Sequence, residues 1–317
     1  MLLTLHCFFA NKSKPRFAIS SGHEHKAFIP LSSVFAGTPD PARHQVARAR
    51  AVALHPHSLT LDREWQGSKT IPFDFLVVAT GTRLAAPGTM PDDDKPPSVR
   101  YLQAYQAGIR NAQSILVIGG GAVGVQMACD LKELYPTKSI TLVHSRDQLM
   151  PAYHPALSNL IKSRFAELGI NLVTGSRVAI PAGGFPNTTP STTVTLTSGR
   201  ALTADFVITA TGQTPNTQFL ATLPATSQDS LINPANGFIR VRPTLQFADP
   251  RYPHLFAVGD IADSGAHKAA RPGALQAAVA ARNIAALAVA EGEGSTEGGE
   301  RLVVQPAGIH LTLGLVC

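Results

Sequence analysis

A chain of 317 residues that is 44% hydrophobic and 15% charged has length for two domains and too much apolar content for a disordered protein. Its net charge of +6 is diffuse, without a basic run or alternation of aromatic with basic residues, so nucleic acid is not an expected partner. No apolar run approaches the roughly 18 residues of a membrane helix. Cys7, Cys129 and Cys317 are too dispersed for a C-x-x-C dithiol relay, a zinc site or a disulfide framework, which makes a reducing, cytoplasmic setting the default.

The first 70 residues carry weak periodic signals. Met1 to Ala10 is apolar but lacks the basic flank and small-residue cleavage site of a signal peptide, and Leu2 excludes an N-terminal myristoyl glycine. The His23/His25 and His55/His57 pairs lack further ligands at metal-binding spacing and read as surface or turn residues. Short elements are expected at 27–31, at 46–54 and at Ser58–Leu61, which alternates like a strand. A polar turn from Arg63 to Lys69 follows. Phe75 to Val78 is an apolar run ended by Ala79-Thr80-Gly81, the pattern of a strand buried on both faces. Pro91 to Pro97 reads as a solvated acidic loop and Tyr101 to Arg110 as a short helix.

The strongest signal is SILVIGGGAVGVQMACDLKELYPTKSITLVHSR, from Ser114 to Arg146. An apolar strand runs into Gly119, Gly121 and Gly124 at G-x-G-x-x-G spacing. Val123, Met127, Leu131 and Leu134 then recur at helical spacing, Pro136 ends the helix, and Ile140 to Val143 forms a second strand. In that context the glycines have physical tasks. Gly119 makes the tight turn, Gly121 lets the backbone approach a diphosphate, and Gly124 lets helix and strand pack closely. The helix N-terminus offers free N–H groups to the phosphates. An acid at the end of the second strand favours NADH; here that end is His144-Ser145-Arg146, which predicts NADPH use at least equal to NADH.

Further on, Pro155 to Leu168 has helical spacing, Gly169 to Val173 is strand-like, and Pro181 to Ser191 is a loop. Thr192–Leu196 and Ala201–Thr203 around Ser198-Gly199 predict a hairpin. Asp205 to Gly212 then repeats the pattern of Asp74 to Gly81: acid, apolar strand, Ala-Thr-Gly. The echo implies an α/β protein with two Rossmann-like dinucleotide-binding domains. Leu255 to Asp260 is a strand ending Gly-Asp, 273–289 is an alanine-rich helix, and 291–300 is an acidic glycine-rich linker.

Two Ala-Thr-Gly turns around one glycine unit, KAFIPLSSVF (Lys26 to Phe35), FDFLVVATG, TLVHS, FAVGDIAD (Phe256 to Asp263) and PAGIHLTLG (Pro306 to Gly314) occur in order. This set resembles the apoptosis-inducing-factor-like and ferroptosis-suppressor branch of FAD-dependent pyridine nucleotide oxidoreductases. The resemblance implies FAD, NAD(P)H and a quinone-like acceptor, with peripheral membrane contact and a mitochondrial setting left open. It divides the chain into a first flavin segment (1–110), an NAD(P) domain (111–212), a second flavin segment (213–290), and a linker with a C-terminal start (291–317). It places Ala79, Thr80, Gly81, Gly259 and Asp260 at the flavin, although Asp260 also suits a helix N-cap. Arg16, Val52 and Lys268 match family contacts to FAD, and each equally suits a structural or solvated role. Gly212 closes the second Ala-Thr-Gly turn beside the nicotinamide nucleotide.

Two departures stand out. Gln126 replaces a glutamate that the family has near the nicotinamide. No second G-x-G-x-x-G is present, and the pattern begins only at Pro15-Arg16, which leads to the expectation of a chain lacking the family's first βαβ unit and its C-terminal region, with residues 1–14 unrelated to it. The alternative function is a non-catalytic NAD(P)-binding remnant without FAD. No side-chain nucleophile is expected.

Overall fold

The computed structural model describes residues 2–4, 8–10, 14–31, 33–186, 191–227, 229–290 and 299–315. Residues 291–298 of the linker predicted over 291–300, part of the 181–191 loop, and Cys7 and Cys317 lie outside the described residues. The chain forms two compact units. One contains the described residues of 1–6, 35–83 and 214–308; the other contains those of 7–34, 84–213 and 309–317.

The second unit is built on a four-stranded parallel sheet. Its strands are β1 (Ser114–Ile118), β2 (Ser139–Val143), β3 (Asn171–Val173) and β4 (Phe206–Thr209), in the order β3-β2-β1-β4. Ile115, Leu116, Val117 and Ile118 are all at most 4% exposed. A parallel strand covered on both faces needs such a run: three helices pack on one face, and the Thr192–Thr195/Ala201–Ala204 hairpin covers the other. Those helices are α1 (Lys95–Asn111), α2 (Ala122–Leu134) and α3 (Pro155–Leu168). Leu102, Ile109, Met127, Leu131, Ile161 and Phe165 interleave in the core they share. Each such fully buried side chain contributes about 1.5–3 kcal/mol.

Helix α1 begins earlier than the apolar spacing predicts. Pro96 and Pro97 fall in its first turn, where the missing N–H groups would have no helical acceptor in any case. Helix α3 starts with Pro155 under His154, whose Nδ1 accepts from the Ala156 N–H (3.2 Å), and ends at Gly169 with φ 70°. The hairpin Thr192–Thr195/Ala201–Ala204 forms as predicted. Asp205 ties the sheet together at its base: its carboxylate accepts from the Gln113 and Ser114 amides, both at 2.9 Å, and from the Ser191 hydroxyl. These donors hold its pKa down at about 2. Asp74, the matching acid of the earlier echo, is exposed.

In the first unit, Ala51–His55, Ser58–Trp65 and Ser68–Pro72 form an antiparallel sheet. The polar turn predicted over 63–69 shrinks to Gln66-Gly67, with φ 50° and 81°, because two left-handed residues suffice to reverse a twisted hairpin. Leu76–Val78 pairs in parallel with Leu255–Ala257, and α4 (Ala270–Ala290) follows. Val77 is 39% exposed, so the strand expected to be covered on both faces is covered on one. Leu54, Leu61, Leu255 and Phe247 fill the core beneath. The fully buried Asp249 is anchored by the Thr226 amide (2.7 Å), the Thr226 hydroxyl (2.6 Å) and the Ser230 hydroxyl (2.7 Å). No helix among the described residues is long and apolar enough to cross a membrane.

Candidate dinucleotide sites

The order β3-β2-β1-β4 reverses direction between β1 and β4, and ligands of open α/β sheets bind at the carboxyl ends of such a switch. A cavity of about 640 Å³ opens there, lined by Gly119–Ala122, His144–Arg146, Ser176, Arg177 and Thr209–Gly212. Thus Gly119, Gly121, His144, Ser145, Arg146 and Gly212, picked from sequence, surround one space.

The glycines differ in their physical roles. A Cβ on Gly119, whose φ is 120°, would lie 2.2 Å from the Ala210 carbonyl oxygen. A Cβ on Gly124 would lie 1.9 Å from the Gly119 carbonyl oxygen, so only hydrogen lets α2 approach β1 this closely. Gly121 is different: φ is −82° and nothing lies within 4 Å of a Cβ there. Open space before the first residue of a 13-residue helix is the cradle a diphosphate needs. The residues present fit an NAD(P) diphosphate.

Gly120 carries a constraint that the spacing rule misses. A Cβ on it would sit 2.7 Å from Cγ of His144, and its N–H donates to His144 Nδ1 at 3.0 Å. His144 is 8% exposed, and its Nε2 is buried without a partner among the described residues. Burial, reinforced by the Arg146 charge, lowers its pKa. The residue predicted to face a ribose phosphate therefore also braces the glycine turn from behind.

Gln126, on α2, donates from Nε2 to Thr312 Oγ1 (2.8 Å). Thr312 also receives a bond from Arg16 (3.0 Å). Arg16 forms a bidentate pair with Asp130, 2.8 and 2.9 Å, and donates to the Gly314 carbonyl oxygen (3.1 Å). Burial raises the Asp130 pKa while the Arg16 bonds oppose it. Arg164 adds bonds to Glu133 (2.9 Å) and to the Leu313 carbonyl (3.2 Å). The 311–315 segment is thereby strapped onto α2. Arg16, matched by resemblance to a flavin contact, is engaged in this strap.

In the first unit the parallel pairing of Leu76–Val78 with Leu255–Ala257 brings Ala79–Gly81 and Gly259–Asp260 out side by side at the strand ends. The Val258 N–H donates to the Val78 carbonyl (3.0 Å). The first turn is clamped by Asn216, which receives from Thr80 Oγ1 (3.0 Å) and donates to the Thr80 carbonyl (2.9 Å). Gly259, with φ 75°, donates to Oε1 of the buried Gln276 (2.8 Å). A Cβ on Gly273 would lie 3.3 Å from Gly259 Cα, so α4 is packed directly on this turn. Gly81 and Gly259 both face open space, and the half-buried Asp260 carboxylate makes no hydrogen bond among the described residues, though its charge acts on Lys268. A carboxylate at a strand end beside open glycines fits the hydroxyl-rich chain of FAD. Lys268 donates to the Ala262 carbonyl and lies 4.1 Å from the centre of the Phe238 ring. Burial lowers its pKa, against the pull of Asp263 and Asp260. Val52 is 47% exposed on the Ala51–His55 strand.

Residues 36–291 match the pyridine nucleotide-disulphide oxidoreductase family. The chain belongs to that family. It is an FAD- and NAD(P)H-dependent oxidoreductase of mixed α/β fold. Among its relatives, Fe-regulated protein 8 of Mycosarcoma maydis is 34% identical over 95% of this chain and 76% of its own. Ferroptosis suppressor protein 1 of Taeniopygia guttata is 28% identical over 87% of this chain and 71% of its own. A ferredoxin reductase from Rhodopseudomonas palustris shares the fold, with TM-score 0.66 and 21% identity over 90% of this chain and 69% of its own.

Despite the family's name, Cys129 is ill suited to disulphide chemistry. It is fully buried in α2, and burial followed by the Asp130 charge pushes its thiol up to about 12.

Sequence reasoning overlooked Ser176 and Arg177. Their signal was nonetheless present: Ser-Arg follows β2 at 145–146 and recurs just after β3 at 176–177.

Proposed function

We propose that this protein moves two electrons from NAD(P)H through FAD to a quinone-like acceptor. The balanced reaction is NAD(P)H + H⁺ + quinone → NAD(P)⁺ + quinol. In this reading the unit containing residues 84–213 holds the nicotinamide nucleotide, and the unit containing 35–83 and 214–308 holds the flavin. The observation that carries it is the open space before Gly121 at the topological switch of the β1–β4 sheet. The acceptor class rests on the family resemblance.

When bound, FAD supplies the hydride acceptance and onward electron transfer that no side chain here provides. The chain's own residues bind and orient. The amides opening α2 hold the diphosphate, Gly119 and Gly124 keep those amides at the sheet edge, and Asp260 accepts hydrogen bonds from a polyol. Gln126, with its Nε2 held by Thr312, keeps Oε1 available as a neutral acceptor. The test is anaerobic: FAD-loaded protein is mixed with NADPH or NADH, and a soluble quinone is then added. Bleaching of the visible flavin bands and their return with quinone support the reading; bands unchanged by both nucleotides oppose it.

A further inference from the structure

The cavity beside Gly121 has a one-sided charge. Among the described residues its charged lining consists of Arg146 and Arg177, and no carboxylate lines it. The two arginines come from different strand ends, and the backbone aligns them. The Gly175 N–H donates to the Arg146 carbonyl (3.2 Å), and the Ser176 N–H donates to the His144 carbonyl (3.0 Å). Gly175, at φ 61°, makes the left-handed turn that brings Ser176 and Arg177 back along the end of β2. Both side chains are exposed at the cavity rim, and neither has a side-chain partner among the described residues. Asp147, the nearest acid in sequence, is turned to the backbone at Gly175, where a Cβ would sit 2.8 Å from its Oδ1.

A site that prefers NADH needs a carboxylate to accept from the ribose 2′-hydroxyl, and the same carboxylate would repel a 2′-phosphate. Here that position offers two guanidiniums and the Ser145 hydroxyl. Guanidinium forks match the oxygens of a phosphomonoester. We propose that Arg146 and Arg177 form a two-armed clamp for the 2′-phosphate of NADPH, which makes the enzyme NADPH-selective. The clamp rests on the reading of this cavity as the nicotinamide-nucleotide site. It goes further by naming Arg177 and the turn at Gly175 as its second arm.

Equilibrium titration separates the two ideas. NADPH, NADH, 2′,5′-ADP and 5′-AMP are each titrated into wild-type protein and into Arg177→Ala, Arg146→Ala and Arg177→Lys, with thermal unfolding recorded as a control for folding. The clamp predicts that wild type binds 2′,5′-ADP at least about tenfold more tightly than 5′-AMP, since one charged hydrogen bond is worth roughly that factor. Each alanine variant should shrink the NADPH-to-NADH affinity ratio by about tenfold, and Arg177→Lys should restore part of it. A wild-type ratio at or below one overturns the clamp while leaving the nucleotide site intact, as does an Arg177→Ala ratio unchanged from wild type. Absence of binding by all four ligands overturns both.

Discussion

The Gly120 amide donates to Nδ1 of His144 at 3.0 Å, so a side chain at the end of the second strand holds the middle of the glycine turn. An acceptor at Nδ1 requires the neutral imidazole with its proton on Nε2. Protonation would set an N–H against an N–H. The lowered pKa has the same sense: the folded protein resists a charge that the unfolded chain accepts near 6.5.

The sign of the pH dependence follows. A histidine whose folded pKa lies below its unfolded value contributes its full stability above about pH 6.5, and that contribution fades as pH falls through the folded value. His144→Phe keeps a ring against Gly120 but leaves the amide unsatisfied. We expect it to lose about 1–3 kcal/mol at pH 8 and to flatten the decline in stability between pH 7 and 5. Denaturant unfolding at several pH values measures both.

The glycines should separate by role. Gly124→Ala forces a Cβ into the Gly119 carbonyl oxygen and should cost about 1–3 kcal/mol of stability together with nucleotide binding. Gly121→Thr places a bulkier side chain in open space at an N-cap position, where threonine caps about as well as glycine. Its stability should stay within about 0.5 kcal/mol of wild type, while NADPH binding weakens by at least about tenfold. Parallel unfolding and binding titrations distinguish the two.

Arg16 and Asp130 make a part-buried pair, 32% and 1% exposed. Removing Arg16 strands the buried Asp130 carboxylate, so Arg16→Ala should destabilise by about 3 kcal/mol. The double variant Arg16→Met/Asp130→Leu should recover most of that loss, because a well-packed apolar pair replaces the ions. Urea unfolding of the single and double variants checks this.

Asp205 governs acid stability at the base of the sheet. Its carboxyl is held at about 2, below its ordinary 3.8, so its contribution is complete above pH 4 and is lost as pH falls from there toward 2. Asp205→Asn should remove that part of the acid transition and shift the remaining midpoint little. Circular dichroism during acid titration reads it directly.

The turn over Gly119–Gly124 was legible because its constraints are local: three spacings and two flanking apolar runs specify a strand, an elbow and a helix. The Ala-Thr-Gly echo likewise marked two strand ends, at 79–81 and 210–212. The Arg16–Asp130 pair was not legible, since its members are 114 residues apart and a helical aspartate looks solvated in isolation. Arg177 was hidden for a related reason: only the pairing of β2 with β3 carries it to the same rim as Arg146. The exposed face at Val77 was missed because an apolar run does not report how many sides a sheet covers.

In the proposed function the cleft at the β1–β4 switch grips a nicotinamide nucleotide by its diphosphate. A crystal structure of the protein with saturating NADP⁺ would show this grip or its absence. Diphosphate oxygens are expected within hydrogen-bond reach of the Gly121 and Ala122 amides, with the adenosine phosphate toward Arg146. Nucleotide bound elsewhere, or none bound at saturation, would contradict it.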